Sequence, residues 1–335
     1  MEQTIKTVRE TIGQHRLLSE GDTIILGVSG GPDSVGLTVL LDRLNKYYKT
    51  NWQLVIAHLN HQIRGKAADA DERFVRQLAD KLELPFYCDR RNIPALSRKQ
   101  KLSLEETARN ERYEFLARVA GKFRRNRRVP KIATGHTLDD QAETVLFRII
   151  RGTGIRGLRG ILPARNLLSG QPFRLIRPLI ELTHTEIIDF LKSQGFGYRS
   201  DKSNLDRKIL RNRIRHQLMP LLNDYNPGVA RHLVRLGQAA GEYEAVVSKL
   251  AGTLCPKGRK WLDLTELQNQ PQPVQQVMIN RLLKNSGCNL KSIVRANYEA
   301  LIGLASSCRK TNEVHLSGGV IARTANGRLI ITKRN

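Results

Sequence analysis

The chain has 335 residues, and its 56 lysine and arginine side chains exceed its 31 acidic ones by 25. Apolar residues make up 40% of the sequence, which excludes an intrinsically disordered chain, and no apolar run reaches the roughly 20 residues of a membrane span, so we expect no membrane association. So large a positive excess is typical of proteins that bind a polyanion, and nucleic acid is the first expectation.

Short apolar runs alternate with amphipathic stretches through most of the chain. The runs at 23–28, 54–58, 85–87 and 132–135 predict buried strands, and the stretches at 34–46, 70–82, 104–120 and 139–150 predict helices. This alternation predicts an α/β fold: a Rossmann-like parallel sheet with right-handed crossovers and helices on both faces. The ligand crevice of such a sheet lies at the carboxyl ends of its strands.

A second, smaller α+β domain is predicted after residue 218. Turn residues at Met219-Pro220 and Asn226-Pro227-Gly228 mark the boundary between domains 1–218 and 219–335. Helices are expected at about 231–250 and 274–284, and Asn326-Gly327 between two apolar runs predicts a hairpin.

Three basic windows carry the excess charge of residues 1–218. Residues 121–131 hold six basic and no acidic side chains, 148–165 hold five arginines and no acid, and 199–215 hold seven basic and two acidic side chains. Each window alone is equally typical of a solvated face, but three together indicate a shared anion-binding surface. In the last window, Arg211 and Arg215 share one face of a predicted helix.

A glycine-rich loop follows the first predicted strand and opens the next predicted helix. It comprises Ser29, Gly30, Gly31, Pro32, Asp33 and Ser34. The glycines let the backbone approach a ligand, and the helix N-terminus and the hydroxyl groups donate hydrogen bonds, which together suit phosphate or pyrophosphate. Asp33 would repel phosphate by itself, so its position predicts a Mg²⁺ ion between the two. The Gly-Lys-Ser/Thr signature of kinase-type loops is absent.

Two other interpretations of this loop stay open. A Gly-Gly-Pro turn between a strand and a helix also occurs for reasons of topology alone. In addition, residues 27–31 match the Gly-x-Ser-x-Gly nucleophile elbow of serine hydrolases, for which His136 or His184 would be the base. The hydrolase interpretation gives Asp33 no role, and Pro32 would remove an early helical N–H group.

Four polar side chains at helical spacing follow the last strand of the predicted sheet. His136, Asp139, Asp140 and Glu143 occupy positions i, i+3, i+4 and i+7 and therefore share one face. Clustered carboxylates require a cation, which would be Mg²⁺, a substrate ammonium group or arginine. Acids in a first helical turn also complement the helix dipole, which explains Glu143 less well than the two aspartates. No second histidine lies at zinc-like spacing.

Two further segments supply candidate site residues. His58 ends the second predicted strand and His61 follows it, at the edge where a ligand is expected, and either is equally well a plain loop residue. Arg109 and Arg112 lie one turn apart in the helix predicted at 104–120, where surface ion pairs are the alternative.

The cysteines limit the redox and metal chemistry. The four of them, Cys88, Cys255, Cys288 and Cys308, lie far apart, and no Cys-x-x-Cys pair occurs, which argues against a zinc ribbon or a metal cluster. This pattern is typical of a reduced cytoplasmic protein, and the polar first 20 residues predict no signal peptide.

Six segments in order resemble one enzyme family. They are SGGPDS, HLNHQIRG, SLEETARNERYEFL, ATGHTLDDQAETVLFRIIRGTGIRGLRGI, RPLIELTHTEI and DKSNLDRKILRNRIR. The first resembles the PP-loop of the ATP pyrophosphatases, which adenylate a substrate and release pyrophosphate. The ordered set resembles the tRNA(Ile)-lysidine synthases, from residue 23 to about residue 220.

The resemblance implies an enzyme that uses ATP to adenylate the 2-carbonyl of the wobble cytidine in tRNA(Ile) with a CAU anticodon. The ε-amine of free lysine then displaces AMP, which gives lysidine. ATP would lie on the loop from Ser29 to Ser34, with Mg²⁺ near Asp33. The residues implied around the adenylated cytidine and the lysine are Arg109, His136, Asp140, Glu143 and Arg211. Arg112 stays open as an alternative to Arg109. Residues 219–335 would contact the tRNA, and a homodimer stays open as the assembly.

Three other functions remain as alternatives. A tRNA thiolase uses the same kind of loop but usually needs paired cysteines, and only Cys88 lies within residues 1–218. A serine hydrolase depends on the elbow match at Ser29. A non-catalytic RNA-binding protein depends on charge alone and leaves the acidic helix face unexplained.

Overall fold

The computed structural model describes residues 2–124, 128–199, 210–288, 295–306, 312–317 and 319–333. The chain divides into two compact units, Met1–Gly237 and Gln238–Asn335. The boundary that the sequence predicts after residue 218 lies before this division. Arg125 and Arg127 of the first basic window, residues 200–209 of the third and Cys308 lie outside the described residues. Within the described ranges, no helix has the length and the apolar character that crossing a membrane requires.

A six-stranded sheet organises the first unit. Its strands are β1 (Thr23–Gly27), β2 (Gln53–Asn60), β3 (Phe86–Arg90), β4 (Lys131–Thr134), β5 (Ala164–Asn166) and β6 (Arg174–Ile176). They lie in the order β3-β2-β1-β4-β6-β5, and every neighbouring pair is parallel except β5 with β6. The predicted Rossmann-like parallel sheet is confirmed. The sequence pattern did not indicate β5 and β6, which have only three residues each.

Helices cover both faces of this sheet, as predicted. They are α1 (Glu2–Gln14), α2 (Pro32–Tyr48), α3 (Lys66–Leu82), α4 (Ile93–Gln100), α5 (Leu104–Lys122), α6 (Leu138–Ile150), α7 (Ile155–Leu158), α8 (His184–Ser193), α9 (Leu210–Arg213) and α10 (Met219–Tyr225), with a π-helical turn (Ile214–Leu218) between the last two. Ile24 and Leu26 of β1 share a core with residues of α1, α2, α3 and α8, whereas Ile25 shares a second core with α5. This alternation follows from the two-residue period of a strand. Burying an aliphatic side chain of this size fully contributes about 1.5–3 kcal/mol.

The second unit is α+β, as predicted. The helix α11 (Val229–Leu254) begins in the first unit and ends in the second, which also contains α12 (Leu264–Gln268), α13 (Gln272–Asn285) and α14 (Arg295–Ser306). The strands β7 (Trp261–Asp263), β8 (Asn312–Leu316), β9 (Val320–Ala325) and β10 (Arg328–Lys333) form an antiparallel sheet in the order β7-β10-β9-β8. The predicted hairpin is confirmed: Asn326 and Gly327 join β9 to β10 with φ of 51° and 69°, as a type I′ turn requires.

Candidate active site

Two cavities flank the loop between β1 and α2. The first has a volume of about 570 Å³ and lies at the carboxyl ends of β1, β2 and β4, the edge that the parallel sheet predicts. The second has a volume of about 890 Å³ and extends from the same loop toward the start of α8 and the π-helical turn. Ser29, Gly31 and Asp33 line both cavities, so a ligand on the loop would be accessible from two sides.

The loop is closed by its own hydroxyl groups. The backbone N–H of Ser29 donates to Ser34 Oγ at 3.1 Å, and Ser34 Oγ donates to the carbonyl of Gly31 at 2.9 Å. Gly30 has a φ of 94°, a conformation that glycine adopts without strain. Gly31 is the N-cap of α2 and forms no side-chain cap, and Pro32 follows it at the start of the helix. The first N–H groups of α2 are therefore available to an anion.

Gly135 brings the end of β4 against this loop. A Cβ atom placed on Gly135 would lie 2.6 Å from the carbonyl oxygen of Asp33 and 3.0 Å from the backbone nitrogen of Ser34. Only a residue without a side chain allows the two backbone segments to approach this closely. The glycine in Ala-Thr-Gly-His-Thr therefore sets the distance between the loop and the next strand.

Asp33 is paired with a histidine that the sequence offered only as a hydrolase base. His184 Nδ1 lies 2.7 Å from Asp33 Oδ1, and the backbone N–H of His184 donates to Asp139 Oδ2 at 2.6 Å. Burial raises the pKa of Asp33, and His184 partly opposes that shift. The hydrogen bond to Asp33 raises the pKa of His184. The start of α8 thus supplies a titratable cation to the loop, and 151 residues of chain separate the two partners.

His136 lies in the first cavity as a neutral imidazole. Its Nδ1 is 2.9 Å from Thr134 Oγ1. Burial, helped by the positive charge of Arg177, lowers its pKa to about 3. The ring is therefore suited to hydrogen bonding with an uncharged group rather than to holding an anion as a cation.

The acidic residues of α6 differ in their structural roles and in the cavity that each one lines. Asp140 completes a capping box, since its Oδ2 accepts from the N–H of Thr137 at 3.1 Å and its own N–H donates to Thr137 Oγ1 at 3.3 Å. Glu143 lies one turn later and is buried, with 3% of its surface exposed. Asp140 lines the first cavity, and Asp139 and Glu143 line the second, so the face that the sequence predicts is split between the two.

Arg215 occupies the carboxylates of Asp140 and Glu143. Its Nε lies 2.6 Å from Glu143 Oε1, and one terminal nitrogen lies 2.9 Å from Glu143 Oε2 and 2.8 Å from Asp140 Oδ1. Arg211, the residue predicted for this site, lies farther away, at 3.6 Å from Asp140 and 3.8 Å from Glu143. The cation that the acidic cluster requires is therefore supplied from within the chain, chiefly by Arg215.

The two carboxylates have pKa values shifted in opposite directions. Burial raises the pKa of Glu143, although Arg215 opposes it. Burial also acts on Asp140, but the guanidinium groups of Arg215 and Arg211 oppose it, and the pKa of Asp140 is lowered. Neighbouring carboxyl groups that differ in this way can take different roles, one as a lasting negative charge and the other as a proton acceptor.

A π-helical turn positions Arg215. The turn spans Ile214–Leu218, and the N–H of Met219 donates to the carbonyl of Ile214. Pro220 follows at the start of α10, where it has no N–H group and its ring excludes the carbonyl four residues earlier from a normal helical bond. The proline within a helical pattern was the available sequence signal for this irregularity, and π-turns are frequent at functional sites.

Arg109 and Arg112 both line the first cavity. In the described part of the chain, neither guanidinium group forms an ion pair with a carboxylate, although Arg109 lies 5.2 Å above the Tyr113 ring. Arg112 lies deep in the cleft but remains accessible from it, and burial lowers its pKa. Two cations without acidic partners in one cavity favour an anionic ligand there.

His58, near the end of β2, and His61, just after it, differ in role. His58 is buried, and its Nδ1 lies 2.8 Å from the carbonyl of Val28, which ties the end of β2 to the end of β1. His61 lines the first cavity, and burial beside Arg112 lowers its pKa to about 4. Both rings are therefore neutral near pH 7.

Comparison with known proteins gives consistent matches. A PP-loop domain family matches residues 1–222. The tRNA(Ile)-lysidine synthase of Geobacter sulfurreducens is 33% identical over 341 residues, covering 100% of this chain and 70% of that protein. The protein of the same name from Clostridioides difficile is 41% identical over 233 residues, covering 69% of this chain and 48% of that protein. The bifunctional TilS/HprT protein of Listeria monocytogenes is 33% identical over 336 residues, covering 98% of this chain and 50% of that protein.

The chain thus spans between about half and 70% of the length of these relatives. Among solved structures, the U34-tRNA thiolase NcsA of Methanococcus maripaludis is similar with a TM-score of 0.56 and 20% sequence identity. The similarity covers 71% of this chain and 77% of that one. At this identity the likeness shows a shared fold.

Proposed function

The chain belongs to the tRNA(Ile)-lysidine synthases, ligases that form a carbon–nitrogen bond, and from that premise we propose its reaction. It joins free lysine to the wobble cytidine of tRNA(Ile) with a CAU anticodon. In the first step the cytidine O2 attacks the α-phosphorus of ATP, and pyrophosphate leaves. In the second step the lysine Nε attacks C2, and AMP leaves with O2. The observation that carries this proposal is that two adjoining cavities are lined by an anion-binding loop, a carboxylate pair and two arginines that have no carboxylate partner among the described residues.

ATP binds to the loop from Ser29 to Ser34. The free N–H groups at the start of α2 and the hydroxyl groups of the loop suit its phosphates. Among the described residues no three metal-ligating side chains converge. A single carboxylate, Asp33, beside a phosphate-binding loop suits Mg²⁺, which is commonly held by one or two carboxylates together with substrate phosphates. Mg²⁺ bound there would neutralise phosphate charge.

The carboxylate pair and the arginines divide the chemistry of lysine transfer. Asp140, with its lowered pKa, holds the lysine ammonium group, and Glu143, with its raised pKa, accepts the proton that the amine must lose before it attacks. Arg109, Arg112 and Arg211 stabilise the negative charge that develops on the departing AMP. Neutral His136 hydrogen-bonds to the cytidine side of the first cavity.

Contacts of the described residues weaken the other functions. Ser29 Oγ has Ser34 Oγ and the N–H of Gly31 as its partners there, while His184 is held by Asp33, so no serine–histidine pair supports a hydrolase. Burial raises the pKa of Cys88 to about 12, which opposes thiolase chemistry on that sulfur. A purely RNA-binding protein would leave Glu143 buried beside the loop without a role. We propose the cytoplasm as the location, since tRNA and free lysine meet there.

Lysine transfer tests this proposal directly. The protein is incubated with Mg²⁺-ATP, labelled lysine and a tRNA(Ile) transcript with a CAU anticodon, with a transcript carrying uridine at the wobble position as the control. We expect ATP-dependent labelling of the CAU transcript alone. Asp33→Ala should abolish it, whereas Asp80→Ala, at an exposed position of α3, should not change it. Absence of lysine transfer together with fluorophosphonate labelling of Ser29 would instead identify a hydrolase.

A further inference from the structure

The place that the lysine ammonium group must take is already filled. Arg215 forms bonds of 2.6 and 2.9 Å to the two oxygens of Glu143 and one of 2.8 Å to Asp140. A forked guanidinium that bonds to both oxygens of a carboxylate is among the stronger ion pairs in proteins. An incoming ammonium group therefore has to displace Arg215 before it contacts either carboxylate.

The structure lets this arginine leave. The Arg215 side chain is 38% exposed, whereas the Glu143 side chain is 4% exposed, so the guanidinium approaches a buried acid from the solvent side. Arg215 lines the larger cavity, which offers space for the displaced side chain. It also lies on a π-helical turn rather than within a regular helix, and such turns are less favourable than α-helix.

Arg211 is a second cation beside Asp140 and Glu143, and it reduces their net negative charge when Arg215 leaves. Arg211 lies 3.6 Å from Asp140 and 3.8 Å from Glu143, too far for a strong hydrogen bond but close enough to screen both carboxylates. Displacing Arg215 with a lysine ammonium group also replaces one cation by another, so the buried acids are never left unpaired. That exchange avoids leaving a buried charge unpaired, which is strongly destabilising.

We propose that Arg215 is a resident cation that competes with the substrate lysine for Asp140 and Glu143 and thereby sets the lysine concentration at which the enzyme works. This inference rests on the proposed function. Arg215 touches the carboxylates and not the reacting atoms, so it is a positioning and specificity residue. If Arg215 occupies the pair about nine-tenths of the time, the apparent affinity for lysine is lowered about tenfold.

Kinetics of Arg215 variants test the competition. Arg215→Ala should lower the KM for lysine by about tenfold, and Arg215→Lys, which keeps a cation there, should stay closer to the wild type. Arg231→Ala is the matched control, because Arg231 forms an exposed ion pair with Glu186 and lines neither cavity. A structural ion pair would instead give an unchanged or raised KM for lysine in a folded Arg215→Ala protein, and that result would overturn the inference.

Methylguanidine tests whether a guanidinium group and lysine compete for the same two carboxylates. It should bind the vacated carboxylates of Arg215→Ala and inhibit competitively with lysine, while the wild type and Arg231→Ala remain uninhibited. If the wild type transfers no lysine, the proposed function fails. Calorimetry with lysine then tests the resident-cation inference separately: lysine should bind Arg215→Ala more tightly than the wild type, and equal affinities would contradict the inference.

A measurement on the wild type covers the case in which Arg215→Ala does not fold. Phenylglyoxal modifies accessible arginines, and peptide mapping locates the product. Lysine should increase modification of Arg215, because displacement exposes the guanidinium group. A ligand that merely shields its site would decrease it, and a decrease or no change at Arg215 would refute the competition.

Discussion

Replacing Gly135 with alanine should disable the loop without unfolding the protein. The added Cβ would lie 2.6 Å from the carbonyl oxygen and 2.7 Å from the carbonyl carbon of Asp33, and 3.0 Å from the nitrogen of Ser34. Real Cβ atoms essentially never approach other heavy atoms within 3.0 Å. All three of these neighbours are backbone atoms, so no side-chain rotation relieves the overlap, and the peptide between Asp33 and Ser34 must move.

The size of this movement sets the expected effect. Restoring contact distances requires a shift of roughly 0.5 Å or more, and overpacking of this kind costs about 1–3 kcal/mol. That corresponds to a lowering of Tm by about 2–4 °C per kcal/mol for a unit of this size. Misplacement of a catalytic group by about 1 Å costs on the order of 100-fold in rate. We therefore expect kcat/KM for ATP to fall by about 10- to 100-fold in a protein that remains folded.

Pyrophosphate release with CAU transcript, ATP and lysine measures this loss, and thermal unfolding measures stability. Gly121→Ala is the matched control, because a Cβ atom on Gly121 near the end of α5 meets no atom within 4 Å. The control should keep full activity and gain up to about 1 kcal/mol of stability from helix propensity. If Gly135→Ala keeps kcat/KM for ATP within twofold of the wild type, the close approach of β4 does not position the loop.

Two further predictions concern charge. The hydrogen bond to Asp33 raises the pKa of His184 above the ordinary 6.5. As the pH rises through that raised pKa, the imidazolium loses its proton and its charge no longer competes with Mg²⁺ for Asp33. The half-saturating Mg²⁺ concentration should therefore fall as the pH rises, and in His184→Asn this dependence should be absent. A pH-independent Mg²⁺ requirement in the wild type would count against it. Filter binding at several salt concentrations tests the first basic window. Charge reversal there should weaken tRNA binding and reduce the slope of log affinity against log salt concentration by up to about 0.9 for each phosphate that is no longer neutralised. Unchanged binding would instead show that the window is a solvated face. The residues to reverse are Arg124, Arg125, Arg127 and Arg128.

The parts of the site that the sequence predicted are local in the chain. β1, the glycine-rich loop and the start of α2 are contiguous, so periodicity and turn chemistry were sufficient to place Ser29 and Asp33 at the sheet edge. The predicted helical face does not include His136, because α6 begins at Leu138; His136 and Asp140 nevertheless both line the first cavity, since both closely follow β4. These predictions depend on backbone geometry within a few residues, which sequence patterns report well.

The parts that the sequence did not predict are pairings over long separations. His184 meets Asp33 across 151 residues, and Arg215 meets Glu143 across 72. Spacing placed Arg211 and Arg215 on one helix face but could not show which of the two lies closer to the acids, because a π-helical turn begins at Ile214, between them. Pro220 is the local cause, but its effect on neighbouring side chains depends on the packing of α6 against the turn.

The third basic window is also interpreted differently once its partners are known. Its charge suggested a surface for tRNA phosphates. Of its described residues, Arg199 pairs with Asp71, and Arg211 and Arg215 pair with Asp140 and Glu143. These arginines neutralise acids that line the two cavities. Net charge along the sequence therefore overstates the cationic surface left for a nucleic acid at this window.

The carboxylates of the site are paired with cations, whereas two of its arginines are not paired with carboxylates, and this difference fits the order of the proposed half-reactions. Asp33, Asp140 and Glu143 each have an internal cation, whereas Arg109 and Arg112 pair with no carboxylate in the part of the chain that the structure describes. The anionic groups of a nucleotide can therefore meet Arg109 and Arg112 without first displacing a protein carboxylate from them. In the proposed reaction lysine displaces Arg215, and the cost of that displacement falls on the second step, because the amine has nothing to attack until the cytidine is adenylated. An ion pair that delays the nucleophile is therefore compatible with efficient adenylation.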